Sequence, residues 1–381
     1  MKPETTHAIY NTPFSQHLYM ALELSHRKWQ LGFTVGYGQQ PRLRSLPSRD
    51  LKALVEEIRL AKVRFGLPEN TPVLSCYEAG RDGFWLHRYL VQQSVTNLIV
   101  DSASIEVNRR KRRAKTDRLD VGKLLSMLMR YQQGEQKVWS LVHVPTPEEE
   151  DQRQLHRELM ALTAERTRHI NRIKGLLCSQ GIVLPVHADF LSRLEEVQLW
   201  DGSQLPVELY ARLGREYERL ELSHQQIRQL NRDRTEAIRT STTPAVEQVR
   251  QLLRLKAIGM NSAWVFVMEF FSWRNFHNRR EIGSLAGLTP TPYQSGQSAQ
   301  EQGISKAGNR RIRAMAIEIA WAWLRYQPDS QLSRWYRDRF AGGNSRVRRI
   351  GIVALARKLL IELWKYLETA VPPQGAVLKV C

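Results

Sequence analysis

Asp117 and Asp120 stand three residues apart, directly behind the basic run Arg109-Arg110-Lys111-Arg112-Arg113-Ala114-Lys115. On a helix an i, i+3 pair projects from one face, so both carboxylates can ligate a hard cation while the basic run holds a phosphate backbone beside them. Positions 109 to 118 carry seven basic residues and one acid, and the bland reading of such a run is a solvated charged face. Two further acids fall where strands should end: Glu23 between Leu22 and Leu24, and Glu78 just after Val73–Tyr77. Any one of these acids alone reads as a surface carboxylate. Together they can converge on one site from two strand ends and one helix face. Phosphodiester cleavage suits such a set, because it needs an activated nucleophile and positive charge on the leaving and non-bridging oxygens, and carboxylate-held Mg²⁺ supplies both.

The elements that must position these residues are legible in part. His17–Leu24 and Trp29–Val35 alternate at period two around Ser25–Lys28 and predict a β-hairpin. Leu51–Phe65 has helical spacing, Val73–Tyr77 is a short apolar strand, Phe84–Gln92 is helical, and Asn97–Val100 is another strand. Strands alternating with helices predict an α/β domain over residues 15–140. A hairpin followed by strand and helix units fits a ribonuclease H-like arrangement, although periodicity alone does not select it over other α/β folds.

After Pro145 and Pro147, Leu155, Leu159, Leu162, Arg166, His169, Ile173 and Leu176 recur in steps of four and three, which predicts a long helix with a coiled-coil-like seam. A second run holds Leu213, Tyr217, Leu220, His224 and Ile227. The pair should pack antiparallel across residues 146–242, as a spacer, a dimerisation element or an arm spanning nucleic acid. From Thr243 to about residue 370 a third, mostly helical region is expected. It includes a helix–Gly259–helix turn that either packs or presents amides to a phosphate. A loop rich in turn formers is expected from Gly287 to Gly308, then a helix opened by Asn309-Arg310-Arg311-Ile312-Arg313.

A formal charge of +19 over 381 residues and a pI near 10.1 concentrate polyanions and make nucleic acid the leading partner. No apolar stretch is long enough to span a bilayer, and Met1 opens no signal-peptide pattern, so the chain reads as soluble and cytoplasmic with no membrane partner. Cys76, Cys178 and Cys381 are widely separated and lack metal-ligand spacing.

Three stretches carry a resemblance: Tyr77-Glu78-Ala79-Gly80, Lys115-Thr116-Asp117-Arg118-Leu119-Asp120, and Ser295-Gly296 followed by Gly303-Ile304-Ser305-Lys306-Ala307-Gly308-Asn309 and Arg313. In this order and combination they resemble the DEDD transposases of bacterial insertion sequences, the family of bridge-RNA-guided recombinases and pilin-gene invertases. The resemblance covers most of the chain. It implies an N-terminal ribonuclease H-like, Holliday-junction-resolvase-like domain, a central coiled coil and a C-terminal transposase domain bearing a catalytic serine. Its acids fall on Glu23, Glu78, Asp117 and Asp120, which would hold Mg²⁺, with Mn²⁺ as a substitute. Its nucleophile falls on Ser295, with Ser298 as the fallback. A bare Ser-Gly in this setting is otherwise only a turn.

This sequence departs from the family pattern at Glu23, where aspartate is usual, and after Gly259, where Met260 and Asn261 replace a nearby second glycine. Lys306, Asn309, Arg310, Arg311 and Arg313 read either as phosphate clamps or as a solvated basic helix face. The resemblance further implies a phosphoserine–DNA intermediate, a composite site of acids and serine, a dimer or tetramer, a bacterial nucleoid-associated location, and in several members a structured guide RNA encoded beside the gene. Two rivals are a metal-only junction resolvase or nuclease, and a catalytically silent nucleic-acid-binding protein.

Overall fold

The structure, a computed structural model, describes residues 17–80, 83–105, 117–295 and 298–379. The chain divides into two compact units, Met1–Val144 and Pro145–Cys381.

The first unit is a three-layer α/β/α arrangement. Its sheet has the order β3-β2-β1-β4-β5, built from β1 (Leu18–Leu24), β2 (Lys28–Thr34), β3 (Arg42–Pro47), β4 (Val73–Glu78) and β5 (Val95–Val100). The first three strands run antiparallel as a meander, and β4 and β5 run parallel to β1. Alternation along each strand splits the apolar residues between two faces. Leu18, Met20, Leu22, Trp29, Leu31, Phe33 and Tyr77 pack beneath α1 (Leu51–Arg64) and α2 (Trp85–Gln92) through Leu54, Ile58, Leu86 and Leu90. Tyr19, Ala21, Leu74 and Cys76 meet α3 (Asp117–Gln132) through Val121, Leu124, Leu125 and Leu128. Asp50 starts α1 by accepting from the Ala53 amide at 2.9 Å.

The expected hairpin, α1, β4, α2 and β5 are all present. The edge strand β3 is an addition to them: Arg42-Leu-Arg-Ser-Leu-Pro47 places only Leu46 firmly in the apolar core and exposes its middle to water.

The second unit is helical apart from one hairpin. After α4 (Pro147–Asp151), α5 (Gln154–Cys178) and α7 (Val207–Thr240) lie antiparallel, with α6 (Phe190–Glu195) between them in sequence. Ile173, Leu177, Phe190, Leu213, Tyr217 and Leu220 form their shared core. Glu216, almost fully buried on α7, binds His169 and Arg172 of α5 at 2.7 and 2.9 Å. The remaining core joins α8 (Pro244–Leu253), α9 (Met260–Phe266), a π-helical turn at Val267–Phe271, α10 (Arg279–Leu285), α11 (Arg310–Tyr326), α12 (Gln331–Tyr336) and α13 (Ser345–Thr369). Gly259 is the N-cap of α9.

The stretch expected to be a loop from Gly287 to Gly308 contains a two-stranded hairpin, β6 (Pro290–Ser295) and β7 (Ser298–Ile304), with Ser295 paired to Ser298. Its polar, turn-forming composition conceals the strands, because their backbones pair with each other and not with a larger sheet. Among the described residues no helix is long and apolar enough to cross a membrane.

Candidate nucleic-acid-processing site

The register of the first unit decides where its acids go. Leu22 of β1 lies beside Tyr77 of β4, so the next step along both parallel strands places Glu23 beside Glu78, on strands about 4.8 Å apart. Glu78 in turn pairs with Val100 at the end of β5. Ala21 and Cys76 contribute to the α3 side of the sheet, and a two-residue period carries Glu23 and Glu78 to that same side.

The direction of α3 follows from two observations. Gly32, opposite Ala21, leaves space for α3: a Cβ there would meet Leu125 at 2.9 Å and Val121 closer still. Arg130, near the other end of α3, acts electrostatically on Tyr37 just beyond β2, which is the end of the sheet where β1 begins. Helix α3 therefore runs antiparallel to β1, and its first turn, with Asp117 and Asp120, lies toward the strand ends that carry Glu23 and Glu78. Asp120 is half-buried and Glu78 exposed.

A further carboxylate, Asp101, follows β5 directly at the same end of the sheet, half-buried, with its amide on the Ser140 carbonyl at 2.9 Å. The only sequence signal for it is its place after an apolar strand. Oxygen-only donors at this sheet end are the chemistry that suits Mg²⁺ or Mn²⁺. Among the described residues no three or more His, Cys, Asp or Glu side chains are gathered closely enough to hold a metal ion. Cys76 takes no part in such chemistry: it is fully buried under α3, and burial pushes its thiol well above the ordinary range. The basic run Arg109, Arg110, Lys111, Arg112, Arg113 and Lys115 lies outside the described residues.

In the second unit, Ser295 closes β6 at the tip of the hairpin. The base of this hairpin is fixed by backbone bonds from Ser305 to Thr289 and from Lys306 to Gly287, at 2.8 and 3.1 Å. Arg313 donates to the Ala286 and Lys306 carbonyls at 3.2 and 3.0 Å, so its guanidinium braces the loop. Asn309 caps α11 by accepting from the Arg311 and Ile312 amides at 2.9 and 3.2 Å. Lys306, Arg310 and Arg311 are exposed around that helix start, where backbone amides and the helix dipole favour an anion.

Behind the cap lies a group that no sequence pattern announces. Glu269, 1 % exposed on the π-helical turn, accepts from His156 at 2.9 Å and from Arg157 at 2.6 and 3.1 Å. The Asn309 amide reaches it at 3.4 Å. Burial alone would raise its pKa, but the hydrogen bonds from His156 and Arg157 outweigh burial and hold the carboxyl far below the usual range. Glu269 thus ties α5 to the start of α11. Separations of 113 and 40 residues leave no local signal for this cluster.

Residues 249–336, which include the hairpin, Glu269 and the α11 cap, match the sequence model of the "Transposase IS116/IS110/IS902 family". Over 377 residues the chain is 42 % identical to "Putative transposase y4rJ" of Sinorhizobium fredii (strain NBRC 101917 / NGR234), covering 95 % of this chain and 94 % of that protein. It is 28 % identical over 242 residues to the "Transposase for insertion sequence element IS1328" of Yersinia enterocolitica, covering 62 % and 68 % of the two chains. A "Probable family 20 transposase" of Pseudomonas aeruginosa is 27 % identical over 236 residues, covering 60 % and 67 %. The chain belongs to the IS116/IS110/IS902 family of transposases.

Proposed function

We propose that this transposase cleaves and rejoins DNA strands by a DEDD-type mechanism, with Ser295 as the nucleophile. The observation that carries the reading is the strand register, which sets Glu23 beside Glu78 on the α3 side of the sheet and directs the first turn of α3 to the same end. The sheet order β3-β2-β1-β4-β5 supports a ribonuclease H-like catalytic domain. Glu23, Glu78, Asp117 and Asp120 would hold Mg²⁺ or Mn²⁺, which when bound supplies positive charge to the phosphate undergoing displacement.

The serine oxygen forms a bond to phosphorus as one bridging P–O bond breaks. The serine proton is given up to a base, and the departing strand takes a proton to leave a free hydroxyl. Because the phosphodiester is replaced by a phosphoserine ester, the reverse displacement by a new strand hydroxyl rejoins DNA without an external energy source. Ser295 stands at the last paired position of a short two-stranded hairpin. The exposed Lys306, Arg310 and Arg311 provide charge for the phosphate at the adjoining helix start. Strand exchange requires two duplexes, and the reading includes a dimer or tetramer and a structured RNA as guide.

The test incubates the full-length protein with Mg²⁺ and DNA spanning the ends of its insertion sequence, and scores a denaturation-resistant protein–DNA adduct. The adduct is expected with wild type and with Ser298→Ala, and absent with Ser295→Ala and with Asp117→Asn. Strand cleavage that persists in Ser295→Ala would replace this reading with a water-attacking, metal-dependent nuclease. RNA sequenced from protein purified at high salt checks the guide: one structured RNA mapping beside the gene is expected, and random RNA removes the guide from the proposal.

A further inference from the structure

Helix α13 carries Arg346, Arg349, Ile350, Val353, Arg357 and Ile361 at three- and four-residue steps, which puts them on one face. That face flanks the core of the unit, which α13 enters through Ile352, Leu355, Leu359 and Leu363, with Val353 and Ile361 packed partly buried at its edge. It borders a cavity of about 700 Å³. The opposite wall is formed by Arg279 and Arg280 from the start of α10 and by Leu288, Pro290 and Ile304 from the base of the β6–β7 hairpin.

Among the described residues six cations line this cavity, counting Lys358, and no carboxylate does. Among the described residues none of the six is ion-paired. Arg349 donates to Ser345 one turn back, which leaves its charge uncompensated, and the buried Arg357 Nε lacks a hydrogen-bond partner. Between the cations the floor is apolar, and Ile350 is 51 % exposed there. Trp335 lies at the rim with the Lys358 ammonium 4.7 Å from its ring. A second cavity of about 480 Å³ continues past Trp335, but there Asp338 and Glu362 offset part of the positive charge and Glu362 is bonded to Lys365 at 2.8 Å.

We propose that the basic, apolar-floored groove between α10, α13 and the base of the serine-bearing hairpin binds a single-stranded stretch of nucleic acid. Clustered cations without counter-charges repel one another and are relieved by a polyanion. A duplex would offer its phosphates but leave Ile350, Val353 and Trp335 facing backbone and water, because its bases are stacked inside. An unpaired strand offers both phosphates for the arginines and base faces for the apolar floor and the tryptophan. The inference shares with the proposed function only the premise that the partner is nucleic acid. It requires neither Ser295 chemistry nor metal.

The experiment uses full-length protein in EDTA, so that failure of the groove and failure of the cleavage mechanism are separate results. Fluorescein-labelled 12-nucleotide DNA, 12-nucleotide RNA and a 12-base-pair duplex are titrated by anisotropy at several salt concentrations. Wild type is expected to prefer the single strands, and the two single-stranded arms identify which source the groove favours. In the double variant Arg346→Ala/Arg349→Ala, single-strand affinity should fall about tenfold and its salt slope by about 1.4, roughly 0.7 for each phosphate no longer neutralised. Duplex affinity should change far less.

Ile350→Asp, at an exposed position outside the core, should give the same selective loss without disturbing folding. Arg228→Ala/Arg232→Ala removes equal charge from the exposed face of α7 and should spare the preference. Equal weakening of single strand and duplex, an equal effect of the α7 pair, or an unchanged preference in both groove variants overturns the proposal, the last result pointing to an acidic protein partner. Photo-crosslinking of an iodouracil-substituted strand to wild type supplies an independent readout. Adducts are expected within residues 279–304 or 335–361, and adducts confined elsewhere refute the site.

Discussion

Replacing Glu269 by glutamine removes one buried charge without changing shape, and the structure sets the consequence. In wild type the carboxylate is 1 % exposed and satisfies His156, which is fully buried, and Arg157, which is 36 % exposed. Breaking a buried ion pair by neutralising one partner typically costs about 3–5 kcal/mol. Arg157 can swing its guanidinium toward water and recover part of this, so the expected loss is about 2–4 kcal/mol, or roughly 5–10 °C in the melting of the second unit.

The pH dependence has a definite sign. The folded carboxyl titrates well below its unfolded value, which is about 4.3. Its contribution is therefore complete above that value and drains away as pH falls through it toward the folded value. Calorimetry of wild type and Glu269→Gln at pH 7 and pH 3.5 should show a wide gap at neutral pH and a narrower one in acid, confined to the transition of the second unit. A gap under about 1 kcal/mol at pH 7, or one of equal size at both pH values, would refute the ion-pair account.

Two backbone positions give sharper steric tests. Gly32→Ala would push a methyl into Val121 and Leu125 and should destabilise the first unit by about 1–3 kcal/mol, read by urea denaturation, with loss of strand cleavage exceeding the loss of folded protein because α3 carries Asp117 and Asp120. Gly308→Ala combines a φ of +122° with a Cβ 2.8 Å from the Leu285 carbonyl carbon and 2.9 Å from the Gly287 nitrogen; it should lower the melting temperature of the second unit by several degrees, at about 1–3 kcal/mol or more, and abolish the Ser295 adduct by displacing the base of the hairpin.

The parts of the fold legible in the sequence are those whose burial is periodic along the chain. Leu18, Met20 and Leu22 against Trp29, Leu31 and Phe33 alternate because one face of the hairpin is core, and Leu54, Ile58 and Ala61 mark α1 in the same way. Strand β3 escapes because an edge strand with Arg42 and Arg44 needs only a few apolar anchors. Arg42, moreover, is buried through its ion pair with Glu57 and its place over the Phe33 ring, partners 15 and 9 residues away. The β6–β7 hairpin escapes because its strands pair only with each other. The placement of Glu23, Glu78 and the first turn of α3 toward one end of the sheet is half legible: the strand ends can be read, but the register that sets Glu23 beside Glu78, and the direction of α3, are tertiary facts.

The same distinction governs the basic residues around Ser295. Lys306, Asn309, Arg310, Arg311 and Arg313 form one cationic block in sequence, yet the structure divides it according to where each donor is directed. Arg313 spends guanidinium bonds on the Ala286 and Lys306 carbonyls, and Asn309 spends its side chain on the α11 cap and on Glu269. Lys306, Arg310 and Arg311 stay exposed. A long-range charge attracts phosphate whether or not its donors are engaged, but a close, directed bond requires donors that are available. Under the proposed function, Asn309 and Arg313 would therefore act on DNA through the loop they hold, and the direct phosphate contacts of this segment would fall to the exposed three. The α10–α13 groove shows the complementary case: among the described residues no carboxylate lines it, so its six cations are screened by solvent ions and remain available to an anionic ligand.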